Sequence, residues 1–266
     1  MPSSGLPSLD TILEGGGYPE KSAILIIGPP GIGKEALCYL HAKAGVNEGA
    51  ICLYMTTLSM REIIEDERSF GIDATKQSAV WIAREGGQEK TDPKDLTHLK
   101  KQVETFLIQN RDRKIRIVAD ILSPILMLNS ADTAYSFVDS LLTEAKQHDA
   151  VLVATLEEGM QPVQAQVAMQ RLFDGVIELT FHKTGLRVLS LVRIVKMRGT
   201  IPHQDYYTVS FTSSGIHLQP ASISSKEREI IGPRPSSGHV VVDPGSVTRL
   251  GKEARVVFDY LVKSFN

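Results

Sequence analysis

The chain has 266 residues, of which 42% are hydrophobic and 23% charged, with a net charge of −2 and a pI near 6.4. That is enough apolar material for one large domain with appendages, and it excludes a chain disordered throughout. The near-neutral balance provides no global electrostatic attraction to nucleic acid or to an anionic membrane.

Residues 5–19 place Leu6, Leu9, Ile12 and Leu13 before a glycine run, which predicts a short helix and a turn that position the first strand. Ile24 to Ile27 is an apolar strand. It runs into Gly28-Pro29-Pro30-Gly31-Ile32-Gly33-Lys34-Glu35, spaced G-x-x-x-x-G-K, and a helix is predicted over Ala36 to Ala44. Strand, glycine-rich turn and helix together read as a phosphate-binding loop. The glycines let successive backbone N–H groups face inward, the helix adds the positive end of its dipole, and Lys34 reaches the β- and γ-phosphates. All eight residues from Gly28 to Glu35 are assigned to nucleotide binding. Ser or Thr normally follows the lysine and coordinates Mg²⁺ through its hydroxyl; here Glu35 stands there. A carboxylate can ligate a hard cation but adds charge beside an anionic polyphosphate, so altered, weakened magnesium dependence is expected.

Ala50 to Thr56 reads as a strand, Met60 to Ser69 as a helix, and Ser78 to Ala83 as a strand in which Trp81 is a packing residue. Asp92-Pro93 looks like the start of the next helix, with an acidic cap and a first-turn proline. Leu96, Leu99, Val103, Phe106 and Leu107 supply its apolar face. Ile115 to Asp120 is an apolar strand ending in an acid. Ala131 to Gln147 is a helix with Tyr135, Val138 and Leu141 or Leu142 facing inward, and Ala150 to Thr155 is the next strand. Such alternation predicts an α/β fold, a mainly parallel sheet covered by helices on both faces, with ligands at the carboxyl ends of the strands.

From residue 160 the pattern changes. Pro162 to Phe173 reads as a helix; Gly175 to Thr180, Arg187 to Lys196 and Tyr206 to Thr212 read as strands of an antiparallel extension, with turns at Gly185 and Ser213-Ser214-Gly215. The predicted organisation is a P-loop domain over 1–220, a Ser/Pro/Gly-rich linker or arm over 221–248, and an amphipathic helix over 249–266.

Cys38 and Cys52 fall in segments expected to be buried and reduced, and the seven histidines lack metal-site spacing. No charged-then-apolar leader opens the sequence and no apolar run approaches bilayer length, so the expected location is cytoplasmic, with no membrane partner.

Asp120, at a strand end in a chain that already carries a phosphate loop, has the Walker B form, in which the acid holds Mg²⁺ through its water shell. With both motifs placed, the sequence resembles the KaiC-like branch of the RecA superfamily over about residues 4–219. Gly5 to Gly17 resembles the family's lead-in, Leu172 to Ile177 the segment after its fifth strand, and Lys196-Met197-Arg198-Gly199-Thr200 its K-x-R-G motif. The resemblance implies a RecA-like fold and ATP as ligand. It implies homo-oligomeric rings, a hexamer among them, with Lys196 and Arg198 reaching the γ-phosphate bound by the neighbouring subunit.

One family element is absent. The strand after the P-loop helix usually ends in paired glutamates, one of which activates water; here Thr57 and Leu58 occupy those positions. Glu157 and Glu158 are the candidate substitutes. The expectation is therefore an ATP-binding, oligomer-forming regulatory or signalling protein, with an unidentified protein partner and impaired hydrolysis. The alternatives are an active ATPase, a recombinase-like DNA filament, and a nucleotide-free scaffold.

Overall fold

In the strand runs 23–28, 51–56 and 151–157 nearly every residue is buried, as expected of parallel strands sandwiched between helices. The computed structural model describes residues 1–72, 79–184, 186–199, 205–212 and 215–221. Met1–Ala221 forms one unit. Apart from Ala221, the predicted arm and C-terminal helix lie outside the described residues, as do the predicted turn residues Gly185, Ser213 and Ser214.

The elements are α1 (Pro7–Ile12), β1 (Ala23–Gly28), α2 (Lys34–Asn47), β2 (Ile51–Thr56), α3 (Met60–Ser69), β3 (Ala79–Ala83), β4 (Glu89–Lys90) and α4 (Leu96–Gln109). They continue with β5 (Ile115–Asp120), α5 (Leu122–Leu128), α6 (Ala131–Gln147), β6 (Val151–Glu157), α7 (Val163–Leu172), β7 (Gly175–Thr184), β8 (Arg187–Met197), β9 (Tyr207–Thr212) and β10 (Gly215–Pro220). The described strands form one sheet in the order β10-β9-β8-β7-β1-β6-β5-β2-β3-β4. Pairing is parallel from β7 to β4 and antiparallel from β7 outward to β10, so the extension begins at β8 and β7 closes the parallel set.

Two apolar layers cover the sheet. One packs α4, α5, α6 and α7 through Phe106, Ile125, Val138, Leu142 and Met169; the other packs α1, α2 and α3 through Leu9, Leu37 and Ile63. In the second layer Tyr54 stacks between Tyr39, at 5.8 Å, and the buried Trp81, at 4.5 Å. Cys38 and Cys52 are free and buried there as well.

Several local expectations shift. The cap of α4 is Asp95, whose carboxylate accepts the His98 N–H, while Asp92 closes the preceding turn by accepting from Lys94 N–H. Tyr135 is 38% exposed; Ala134, Phe137, Val138 and Leu141 form the buried face, one residue earlier on the wheel. Strand β6 runs on to Glu157, because its end pairs with Gly28 of β1.

Arg116 pins the beginning of the chain to this core. It is buried on β5, donates to the carbonyls of Ser3 (2.7 Å) and His41 (2.9 Å), and pairs with Glu48 at 2.7 Å. Gly45 of α2 makes room for it, since a Cβ at that position would lie 2.3 Å from Arg116 Cδ. Gly→Ala within a helix ordinarily stabilises by up to about 1 kcal/mol. Here Gly45→Ala is expected to destabilise by about 1–3 kcal/mol, because overpacking outweighs the propensity gain. A urea midpoint above that of the parent protein would contradict this.

Candidate functional site at the carboxyl ends of the strands

The ends of β1, β6, β5 and β2 lie side by side, with Gly28 opposite Glu157 and Thr56 opposite Asp120. This edge is where an open parallel sheet offers a ligand crevice. The loop after β1 turns through Gly31 (φ 74°) and Gly33 (φ 90°), left-handed conformations that glycine adopts without strain. Gly33 is the N-cap of α2 and brings no side chain to cap it, which leaves the first amides of the helix available to an anion.

Gly33 also accommodates an aromatic ring. A Cβ there would lie 2.5 Å from Phe211 Cζ, and Phe211 pairs with Phe70 at 5.6 Å. Both rings are partly exposed beside the loop. Sequence reasoning did not single out either one, because their proximity to Gly33 depends on how β9 and α3 lie beside the loop.

Lys34 is fully buried. Its ammonium donates to the Pro29 carbonyl at 3.0 Å and stands 3.4 Å from Glu157 Oε1 and 3.9 Å from Glu35 Oε1. A buried ammonium needs such compensation. Glu157 is itself fixed by Ser123 at the start of α5: the Ser123 hydroxyl donates to Oε2 at 3.1 Å and accepts the Glu157 N–H at 2.8 Å. Glu158 differs. Its backbone N–H donates to the Gly28 carbonyl while the residue is exposed.

Asp120 accepts from the Thr155 hydroxyl on one oxygen and from Thr56, at 3.5 Å, on the other. Burial pushes its pKa up to about 6; Thr155 opposes that, while the charges of Glu35 and Glu157 add to it. Asp120, Thr56, Thr155 and Glu35 are hard oxygen donors, the type that suits Mg²⁺. Among the described residues no group of three or more His, Cys, Asp or Glu converges as a metal cluster, so a cation at Asp120 would complete its shell with phosphate oxygens and water.

The end of β2 carries no carboxylate: Thr56 is followed by Thr57 and Leu58, and the Leu58 N–H donates to Thr56 Oγ1. The next acid along the chain, Glu62, closes a capping box with Ser59 and pairs with Arg84 at 2.6 Å. The Ser59 N–H and hydroxyl, with Arg84 behind them, hold Glu62 down at about 2, so it is a poor base.

A family model described as "ATPase: KaiC" matches residues 2–223. The chain belongs to the KaiC ATPase family. It is 25% identical to the circadian clock protein KaiC2 of Synechocystis sp. over 83% of this chain and 39% of that protein. It is 25% identical to the circadian clock oscillator protein KaiC of Synechococcus elongatus over 90% of this chain and 49% of the relative. UPF0273 protein MK0039 of Methanopyrus kandleri is 26% identical over 85% of this chain and 94% of its own length. The chain thus spans about two fifths to half of the KaiC proteins it matches, and nearly all of the UPF0273 protein.

In this KaiC family domain, Lys196 and Arg198 lie at the other end of the sheet. Arg198 leaves β8 beside Asp174, which sits at the start of β7 and bonds to the first residue of β1: Ala23 N–H donates to Asp174 Oδ2 and Asp174 N–H to the Ala23 carbonyl. Arg198 Nη1 reaches Asp174 Oδ1 at 2.7 Å, and Lys146 pairs with the same carboxylate at 2.8 Å. Burial, then the Arg198 guanidinium, holds Lys196 below the ordinary lysine range. Strand β1 separates this cluster from Gly28 by roughly 16 Å. The sequence-assigned loop residues and Asp120 therefore come together with Glu157 at one end, and the K-x-R cations stand at the opposite end. Among the described residues no helix is long and apolar enough to cross a membrane.

Proposed function

We propose that this chain binds ATP on the Gly28–Glu35 loop and uses it as a ligand that joins subunits into a homo-oligomer, with a regulatory role and slow or absent hydrolysis. The observation that carries the reading is the separation of parts. Lys34 and Asp120 stand at the carboxyl ends of the strands, whereas Lys196 and Arg198 stand at the amino ends, too far to serve their own loop. Cations placed there contribute to a nucleotide site when the site belongs to a neighbouring copy, which makes assembly depend on the bound triphosphate. A closed ring, with a hexamer as the form to test, satisfies that head-to-tail requirement.

In this reading the loop amides and Lys34 hold the phosphates, Asp120 orients a magnesium ion through water, and the Phe211 and Phe70 rings offer an apolar wall beside the loop for a base. Mg²⁺, when bound with the nucleotide, neutralises phosphate charge. Slow turnover is supported by Thr57 and Leu58 at the end of β2 and by the engagement of Glu62 with Ser59 and Arg84. The clock-protein names of two relatives support a regulatory role.

The experiment is calorimetry with ATP and a non-hydrolysable analogue, with and without Mg²⁺, combined with light scattering and a phosphate-release assay. Binding accompanied by a rise in mass, with release no faster than in Lys34→Ala, is the expected result. A second reading, an active ATPase, is favoured by the position of Glu157 next to Lys34. Sustained phosphate release that disappears in Lys34→Ala would establish it in place of the first. The absence of any nucleotide binding would overturn both.

A further inference from the structure

We infer that Glu157, positioned by Ser123, determines the ligand selectivity of the loop by competing with phosphate for Lys34. This rests on the reading that the loop binds nucleotide. In the structure the carboxylate already occupies the partner that a phosphate would take.

The arrangement is built from both sides. Glu157 is the last residue of β6 and pairs in register with Gly28, so its backbone is fixed relative to the loop. The Ser123 hydroxyl donates to Oε2 and accepts the residue's own N–H, which leaves Oε1 directed at the Lys34 ammonium 3.4 Å away. Ser123 is buried, so water does not readily replace it. Lys34 is fully enclosed and directs a further donor to the Pro29 carbonyl. An ammonium has three N–H groups; Pro29 takes one, and Glu157 is the nearest anion to the others, so a ligand phosphate that reaches Lys34 competes with Glu157 for it. Glu35 is a second competitor, but it stands farther off at 3.9 Å.

The charges point the same way. Glu35 and Glu157 both stand against Lys34, and among the described residues its charge is the cation that acts on Asp120. A ligand with a single phosphate anchor gains Lys34 only by freeing a carboxylate beside its own charge. A polyphosphate that also engages the loop amides and brings a divalent cation has additional interactions to offset that loss. The site therefore favours metal-bound nucleoside di- and triphosphates over simple anions.

The test compares the parent protein with Glu157→Gln, Ser123→Ala and the double variant. Dissociation constants are measured by calorimetry for a non-hydrolysable ATP analogue and for inorganic phosphate, with and without Mg²⁺, and circular dichroism establishes that each variant is folded. Glu157→Gln preserves size and one acceptor oxygen, which can keep the Ser123 bond, while removing the charge and the second acceptor facing Lys34. It is expected to tighten the analogue at least tenfold and to make inorganic phosphate binding measurable. Ser123→Ala, which frees the carboxylate without removing it, is expected to tighten binding about threefold, with no further gain in the double variant over Glu157→Gln.

Unchanged analogue affinity in Glu157→Gln, with phosphate release abolished, would make Glu157 a base and overturn the inference. Weaker binding confined to Mg²⁺-containing samples would make it a metal ligand, with the same consequence. Should neither the parent protein nor Glu157→Gln bind the analogue, the nucleotide-binding reading itself fails; binding by the parent without improvement in Glu157→Gln fails the inference alone. If Glu157→Gln does not fold, the threefold gain in Ser123→Ala decides.

Discussion

Arg116→Ala is expected to cost about 3–5 kcal/mol, a fall in Tm of roughly 10 °C for a domain of this size. The guanidinium is buried among several acceptors from three parts of the chain. It serves the Ser3 carbonyl, the His41 carbonyl and Glu48, and it stands 3.2 Å from His41 Nδ1. Removing it takes the donor from the Ser3 carbonyl and the cation from Glu48, while the His41 carbonyl keeps its place in the ladder of α2; a buried group left unsatisfied costs about 1–3 kcal/mol. The loss also spreads. Ser3 holds Glu48 through its N–H and Asp10 through its hydroxyl, so Arg116 connects the lead-in and α1 to the C-terminal end of the helix whose other end is the phosphate loop. Burial, together with the Arg116 charge, holds His41 well below the ordinary histidine range, so the imidazole is neutral and does not replace the lost cation. Urea denaturation with the m-value recorded, combined with amide exchange over residues 3–18, checks this. A destabilisation below 1 kcal/mol, or unchanged protection of the lead-in, would refute the clamp.

The second large effect has the opposite sign. Asp120→Asn is expected to stabilise the nucleotide-free protein by about 2–3 kcal/mol at pH 7.5, from a shift of about two pKa units at 1.36 kcal/mol each. The folded protein holds the Asp120 proton up to about pH 6, above the ordinary aspartate value, because burial and then Glu35 and Glu157 disfavour its charge. The native state therefore binds that proton more tightly than the unfolded chain. This group's contribution is most favourable below about pH 4, declines as pH rises toward 6, and is a full penalty above it. The advantage of Asn should accordingly be present at pH 7.5, shrink as pH falls through 6, and vanish near pH 4. Paired urea titrations at these pH values measure it. An Asp120→Asn protein less stable than its parent at pH 7.5 would show that Thr155 and Thr56 more than offset the cost of charge. If Asp120 orients magnesium, the same substitution removes the effect of Mg²⁺ on nucleotide affinity, so the site would retain a costly charge for function.

Where a structural decision is local, the sequence carried it. Helices α3 and α6 begin and end at the predicted residues because Ser59 and Ser130 cap them and their apolar spacing is helical. The phosphate loop was legible for the same reason, since a left-handed turn into a helix demands glycine at Gly31 and Gly33. Where two local solutions compete, the sequence was ambiguous. Asp92 and Asp95 are both competent caps, and the turn around Pro93 determines that Asp95 serves. Helix α5 is one short apolar stretch without a polar face, exposed at Met127 and Leu128, so periodicity could not reveal it. Strand β10 exists because β9 offers it an edge.

The sequence by itself determined the alternating α/β pattern, the phosphate loop, the acid at the end of β5 and the absence of carboxylates after β2, because each is a property of neighbouring residues. Only the tertiary structure decided that Glu157 falls on Lys34, that Phe211 rests on Gly33, that Arg116 gathers Ser3, His41 and Glu48, and that Lys196 and Arg198 stand at the far end of the sheet from the loop. Each of these depends on strand order and register. Those are set by which apolar faces bury one another across the whole chain, and no local stretch of residues encodes them.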